Sequence, residues 1–152
     1  MNRVDDVNNE RLVDPTAVAR GAATGLVVIV PVTVVGAIVS RGTADLGTSA
    51  WAVPLSLAIL VAYGAAGWVA GAAAPGAPLS NGALAGFSTI VLWLPLRVVI
   101  WLIRHDHRGF FTGARPAITV SQLFGAVVLS CAFGMAGAFL AARRVQRSAG
   151  SF

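Results

Sequence analysis

Residues 46–96 read LGTSAWAVPLSLAILVAYGAAGWVAGAAAPGAPLSNGALAGFSTIVLWLPL, with no Asp, Glu, Lys, Arg or His between Leu46 and Leu96. An α-helix rises about 1.5 Å per residue, so about 20 residues cross the apolar part of a bilayer. A single helix over this run would far overshoot, so the chain turns inside it. Pro75-Gly76-Ala77-Pro78-Leu79-Ser80-Asn81-Gly82 holds two prolines, two glycines and residues that cap helices, and it marks the turn. One uncharged run thus becomes two spans.

The flanks repeat the pattern. Gly21 to Ser40 is uncharged, and Pro116 to Ala142 is uncharged up to Arg143-Arg144. The reading is an all-α integral membrane protein with four transmembrane helices, at about 17–40, 50–73, 80–104 and 117–143. Residues 1–16 form a polar N-terminal tail and 144–152 a short basic C-terminal tail. Trp51, Trp68 and Trp101 fall near span ends, where indoles favour the interface. Pro116 suits the first turn of the fourth span. A cleaved signal peptide fits poorly, because mixed charges precede the first apolar run and three spans follow it.

Composition agrees. Hydrophobic residues make up 57% of the chain and charged residues 11%, against the usual quarter, so a water-soluble globule and a disordered chain are both excluded. Mean hydropathy is +0.79. The net charge is +5, and every basic side chain is arginine. These arginines border the spans, which favours anionic lipid head groups over nucleic acid as their counter-charge. Arg3, Arg11, Arg20, Arg143, Arg144 and Arg147 lie on the side of the termini, against Arg41, Arg104, Arg108 and Arg115 opposite. That excess places both termini in the cytoplasm and the protein in the plasma (cytoplasmic) membrane, multi-pass.

The two halves echo each other. Gly21-Ala22-Ala23-Thr24-Gly25 opens span one and Gly82-Ala83-Leu84-Ala85-Gly86 opens span three. Ala62-Tyr63-Gly64-Ala65-Ala66-Gly67 in span two matches Ala132-Phe133-Gly134-Met135-Ala136-Gly137 in span four. The expected architecture is a tandem parallel repeat of two helical hairpins, related by a pseudo-two-fold axis along the membrane normal. Gly21/Gly25, Gly82/Gly86 and Gly67/Gly71 are GxxxG pairs, and Gly64, Gly134 and Gly137 extend the same small-residue stripes. Such stripes let helix backbones approach closely in lipid. All of them lie in the leaflet nearer the termini, so the bundle is expected to be tight there and broader at the opposite face.

Arg97 is the lone charge within a span. Twelve strongly apolar residues of its helix contribute roughly −4 to −7 kcal/mol to insertion, against roughly +3 kcal/mol for one central arginine, so the helix inserts. Arg97 shares a helical face with Gly82, Gly86 and Thr89, and Gly36 is its counterpart in the repeat. It is expected to face the bundle interior near span one, with its charge met by an acidic residue, a carbonyl freed by Pro95 or a bound anion. Arg97, Arg104 and Arg108 are the candidate contacts for an anion or an anionic lipid. His105-Asp106-His107 lacks the further ligands that a metal site needs, so no metal or other cofactor is expected.

No P-loop, GxSxG, HExxH or CxxC occurs, no span carries a carboxylate, and Ser130 and Cys131 have no histidine on a nearby span. Catalysis is not expected. The first functional expectation is a structural or accessory role in complex assembly or self-association, as a homo-oligomer or a subunit of a larger membrane complex. The alternative is a small channel or carrier for an anionic or amphiphilic solute, using Arg97. A dry closed bundle with an exposed glycine groove favours the first, and a polar, water-lined cavity reaching Arg97 the second.

Overall fold

The computed structural model describes residues 13–42, 49–103 and 118–149. Within them the chain forms four helices and no strand: α1 (Pro15–Gly42), α2 (Ala52–Ala73), α3 (Pro78–Ile103) and α4 (Val120–Ala149). All four are long and apolar enough to cross a membrane. The polar segment 1–12, the loop that carries Arg104, His105, Asp106, His107, Arg108 and Pro116, and residues 150–152 lie outside the described residues.

Local chemistry sets the helix ends. Asp14 caps α1, its Oδ1 accepting the N–H groups of Thr16 at 2.8 Å and Ala17 at 3.2 Å, and Pro15 follows in the first turn, where its missing N–H costs nothing. The turn between α2 and α3 covers 74–77, two residues shorter than the gap between the expected spans 50–73 and 80–104. The Ala77 N–H closes on the Ala74 carbonyl at 3.3 Å around Pro75-Gly76. Pro78 then opens α3, so Ser80, Asn81 and Gly82 are already helical.

The fourth helix differs most from expectation. It starts at Val120 behind a reciprocal cap: the Gln122 N–H donates to Thr119 Oγ1 at 3.2 Å, and the Thr119 N–H donates to Gln122 Oε1 at 3.0 Å. It also runs past Arg143 to Ala149, which puts Arg144 and Arg147 on the helix and not in a tail. Alanine, arginine and glutamine are strong helix formers, and the exposed Arg143, Arg144 and Arg147 do not end the helix.

Burial is concentrated at one end. Gly21, Ala22, Gly25 and Ile29 on α1, Ala62 to Gly71 on α2, Asn81 to Ile90 on α3, and Ser130 to Ala141 on α4 supply nearly all the buried positions. Beyond them, α2 has no buried residue over 52–61, α3 none over 91–103 and α4 none over 120–129. Among the described residues the buried positions lie mostly in the half nearer the termini, where tight packing is expected.

Four-way contact is incomplete. α2 and α3 touch each other and both touch α1 and α4, but α1 and α4 do not meet among the described residues. Exchanging the hairpins would turn the α2–α3 contact into an α4–α1 contact, so the four helices do not share one two-fold. The crossing of α2 with α4 is reciprocal when taken alone. Gly67 packs on the backbone of Gly134, and Gly137 packs on that of Gly64, the same pair shifted from 67 to 137 and from 134 to 64.

Candidate functional site

The glycines come first, because they decide where space remains. At Gly71 a Cβ would lie 2.6 Å from the Cα and Cβ of Ala138, and at Gly25 it would lie 2.6 Å from Thr89 Oγ1. At Gly82 it would meet Ala138 and Gly134, at Gly86 the Ser130 carbonyl, and at Gly21 the Ala66 carbonyl. Eight of the nine glycines singled out in the sequence are thus closed against other helices of the chain: Gly21, Gly25, Gly67, Gly71, Gly82, Gly86, Gly134 and Gly137. Gly64 differs. A Cβ there would meet nothing within 4 Å.

Gly64 opens into a groove of about 680 Å³ between the outer faces of α2 and α4, lined by Leu57, Leu60, Val61, Trp68, Phe133 and Leu140 among others. A second outer groove, about 570 Å³, runs between α1 and α3 past Ala22, Leu26, Leu84, Phe87 and Val91. Both are apolar, and neither reaches Arg97.

The bundle interior is filled instead. Ile29, Ala62, Tyr63 and Ile90 form one buried cluster, and Ala66, Ala70 and Ala85 another. The hydroxyls inside are answered locally: Thr33 donates to the Ile29 carbonyl at 2.7 Å, Thr89 to that of Ala85 at 2.8 Å, and Ser130 to that of Val127 at 2.8 Å. These bonds back to the preceding turn let a polar side chain sit in an apolar interior without a partner from another helix.

Two interhelical polar links were not anticipated from sequence. Trp93 Nε1 donates to Thr33 Oγ1 at 2.9 Å, joining α3 to α1. Asn81, almost wholly buried, accepts the Asp14 N–H at 2.7 Å through Oδ1 and donates through Nδ2 to the Ala77 carbonyl at 2.8 Å. It ties the cap of α1 to the first turn of α3. The signals were present: Trp93 is a tryptophan far from a span end, whose N–H needs an acceptor, and Asn81 is an amide at the head of an apolar helix.

Arg97 is half-buried and not fully interior. Its guanidinium lies over the ring of Trp93, one turn earlier, at 5.7 Å from the centroid. Through that indole it is coupled to α1 at Thr33. At Gly36, expected to leave room for the guanidinium, an added Cβ would lie 3.7 Å from Leu55 Cδ1, an ordinary contact.

The terminal end of the bundle carries a second set of cations. Arg143 lies over Phe139 at 4.5 Å, and Arg144 lies over Trp68 on α2 at 4.9 Å. Arg143, Arg144 and Arg147 are all exposed. Among the described residues Asp14 is the one carboxylate, and no cluster of His, Cys, Asp or Glu could hold a metal ion. No protein-family model matches this chain, and no curated protein or solved structure gives a match.

Proposed function

We propose that the protein is a multi-pass membrane protein with a structural or accessory role, acting through self-association or as a subunit of a larger membrane complex. The observation that carries this reading is the closed interior. The small residues of all four helices are used to bring the helices of one chain together, and the open volumes described above are apolar grooves on the outside. A solute path would need polar lining and water, and an enzyme would need an activated nucleophile or base. The buried positions among the described residues are chiefly Ala, Gly, Ile and Tyr, and the buried polar side chains Thr33, Asn81, Thr89 and Ser130 all have hydrogen-bond partners within the chain. The basic excess on the side of the termini supports a plasma-membrane orientation with both ends cytoplasmic. The paired glycine segments and the reciprocal α2–α4 crossing support descent from one duplicated hairpin, with α1 and α3 since repacked.

The test is purification in mild detergent, with mass measurement and cross-linking, beside reconstitution into vesicles loaded with a fluorescent anion reporter. The accessory reading expects a discrete assembly larger than one chain and no flux above empty vesicles. Anion flux that disappears in a folded Arg97→Leu variant would replace it with the carrier reading.

A further inference from the structure

We propose that the Tyr63 hydroxyl is the recognition group of a mid-membrane site, at the edge of the packed half, for an apolar molecule that carries a carbonyl oxygen. The inference rests on the helices crossing a bilayer and is independent of the accessory role. Tyr63 is 4% exposed and belongs to the cluster of Ile29, Ala62 and Ile90. Its hydroxyl has no hydrogen-bond partner among the described residues. Every enclosed side-chain nitrogen or oxygen among them does have one. The Tyr63 oxygen is therefore not enclosed, and the little surface this residue exposes includes it. The direction of the opening follows from the helix. Helical side chains tilt toward the helix N-terminus, which for α2 is the end away from the chain termini. No residue of α2 is buried before Ala62. The hydroxyl thus points out of the packed half into the looser one, and it lines neither outer groove.

Chemistry selects the occupant. Thr33, Thr89 and Ser130 each reach back to a carbonyl of their own helix, but the rigid ring of a tyrosine carries its hydroxyl beyond that reach. An unpaired hydroxyl in hydrocarbon is costly, so an acceptor from outside the chain is favoured there. Tyr63 is the twelfth of the 22 residues of α2. It therefore sits about 15 Å from either end of the span, and lipid head groups lie a leaflet away. A water molecule needs roughly two to four polar partners. The side chains that pack on the cluster toward the looser half include Ile59, Leu123 and Val127, which are apolar, and Trp93, whose N–H is engaged by Thr33. A mostly apolar molecule with one carbonyl meets both demands: it suits the hydrocarbon surroundings and accepts the phenol proton in a hydrogen bond.

Tyr63 is the one tyrosine of the chain, so isotope-labelled tyrosine gives a single NMR signal from its hydroxyl-bearing ring carbon. The experiment follows that signal for the full chain in phosphatidylcholine nanodiscs, titrated with the methyl ketone undecanone and, separately, with undecane. Undecanone is expected to shift the signal in a saturable way, with one ketone bound per chain, and undecane to leave it unchanged. Tyr63→Phe removes a hydroxyl that no described residue engages, so the variant is expected to stay folded. It is expected to weaken undecanone binding about tenfold, the weight of one hydrogen bond, read from the carbonyl signal of labelled ketone. An equal shift with undecane would reduce the site to a hydrophobic gap and overturn the proposal. So would a tyrosine signal that undecanone does not move, which assigns the phenol to water or to no ligand, or undiminished ketone binding by folded Tyr63→Phe. Should Tyr63→Phe fail to fold, the wild-type titration decides alone. Failure of the chain to enter the discs would overturn the bilayer reading and the inference with it.

Discussion

At the scale of single residues, two glycines a turn apart on α2 have opposite roles. Gly67 lies against the backbone of Gly134, which has no side chain to move aside, whereas Gly64 faces open space. Gly67→Ala is therefore expected to lower the melting temperature in detergent, at a cost of roughly 1–3 kcal/mol from overpacking. Gly64→Ala is expected to leave it unchanged or raise it, since alanine is favoured over glycine by up to about 1 kcal/mol within a helix. Equal melting shifts in the two variants would refute the crossing. Asn81 gives a second contrast. Asn81→Ala takes the acceptor from the Asp14 N–H and the donor from the Ala77 carbonyl, and it is expected to destabilise by about 1 kcal/mol or more. Asn81→Asp keeps the acceptor but sets a buried carboxylate oxygen against the Ala77 carbonyl, so at neutral pH it is expected to destabilise more than Asn81→Ala on the same thermal measurement.

At the scale of elements, the start of α4 rests on Thr119 and Gln122, each satisfying the other's backbone N–H. Thr119→Ala is expected to cost about 1 kcal/mol, and the double variant with Gln122→Ala little more, because the first change already breaks the reciprocity. Additive losses in thermal unfolding would show that the two caps act separately. The same helix shows what sequence could and could not reveal. The four long apolar helices were legible because the charge-free run Leu46–Leu96 is too long for one span and is broken by the Pro75-Gly76 turn. The start of α4 was also written in the chain, as Thr-x-x-Gln, but Pro116 drew the boundary toward itself. Its far end was hidden because Arg143-Arg144 marks where the apolar run stops, not where hydrogen bonding stops. Helix partners were the least legible. Glycine stripes occur on all four helices, and nothing in their spacing says that Gly134 serves both Gly67 on α2 and Gly82 on α3. The position of Arg97 was half-legible: its helical phase follows from Gly86 and Thr89, but its seat on Trp93 depends on where that phase leaves the tight half of the bundle.

For the whole molecule, the uneven distribution of small residues becomes an uneven stiffness. Close contact at Gly67, Gly82, Gly86 and Gly137 leaves little free space there, so the terminal half is expected to move as one block. Beyond Thr33 and Ile90 the helices present Val, Ile and Leu outward, and these side chains keep their rotamer freedom. The Trp93–Thr33 hydrogen bond is the polar tie described between α1 and α3 in that open half, and Arg97 lies on it. Methyl order parameters measured by NMR in nanodiscs are therefore expected to be higher for Ile29 and Ile90 than for Ile38 and Val99. Ile29 is 1% exposed and Ile38, on the same helix, is 61% exposed, which makes that pair the sharpest comparison. Thr33→Val removes the acceptor of the indole N–H and leaves that donor unpaired in an apolar setting. It is expected to lower the order at Ile38 and Val99 and leave Ile29 and Ile90 nearly unchanged, because the glycine crossings hold the terminal half by themselves. If order instead falls equally in both halves, the bundle is a single cooperative block and the glycine crossings are not what stiffens it.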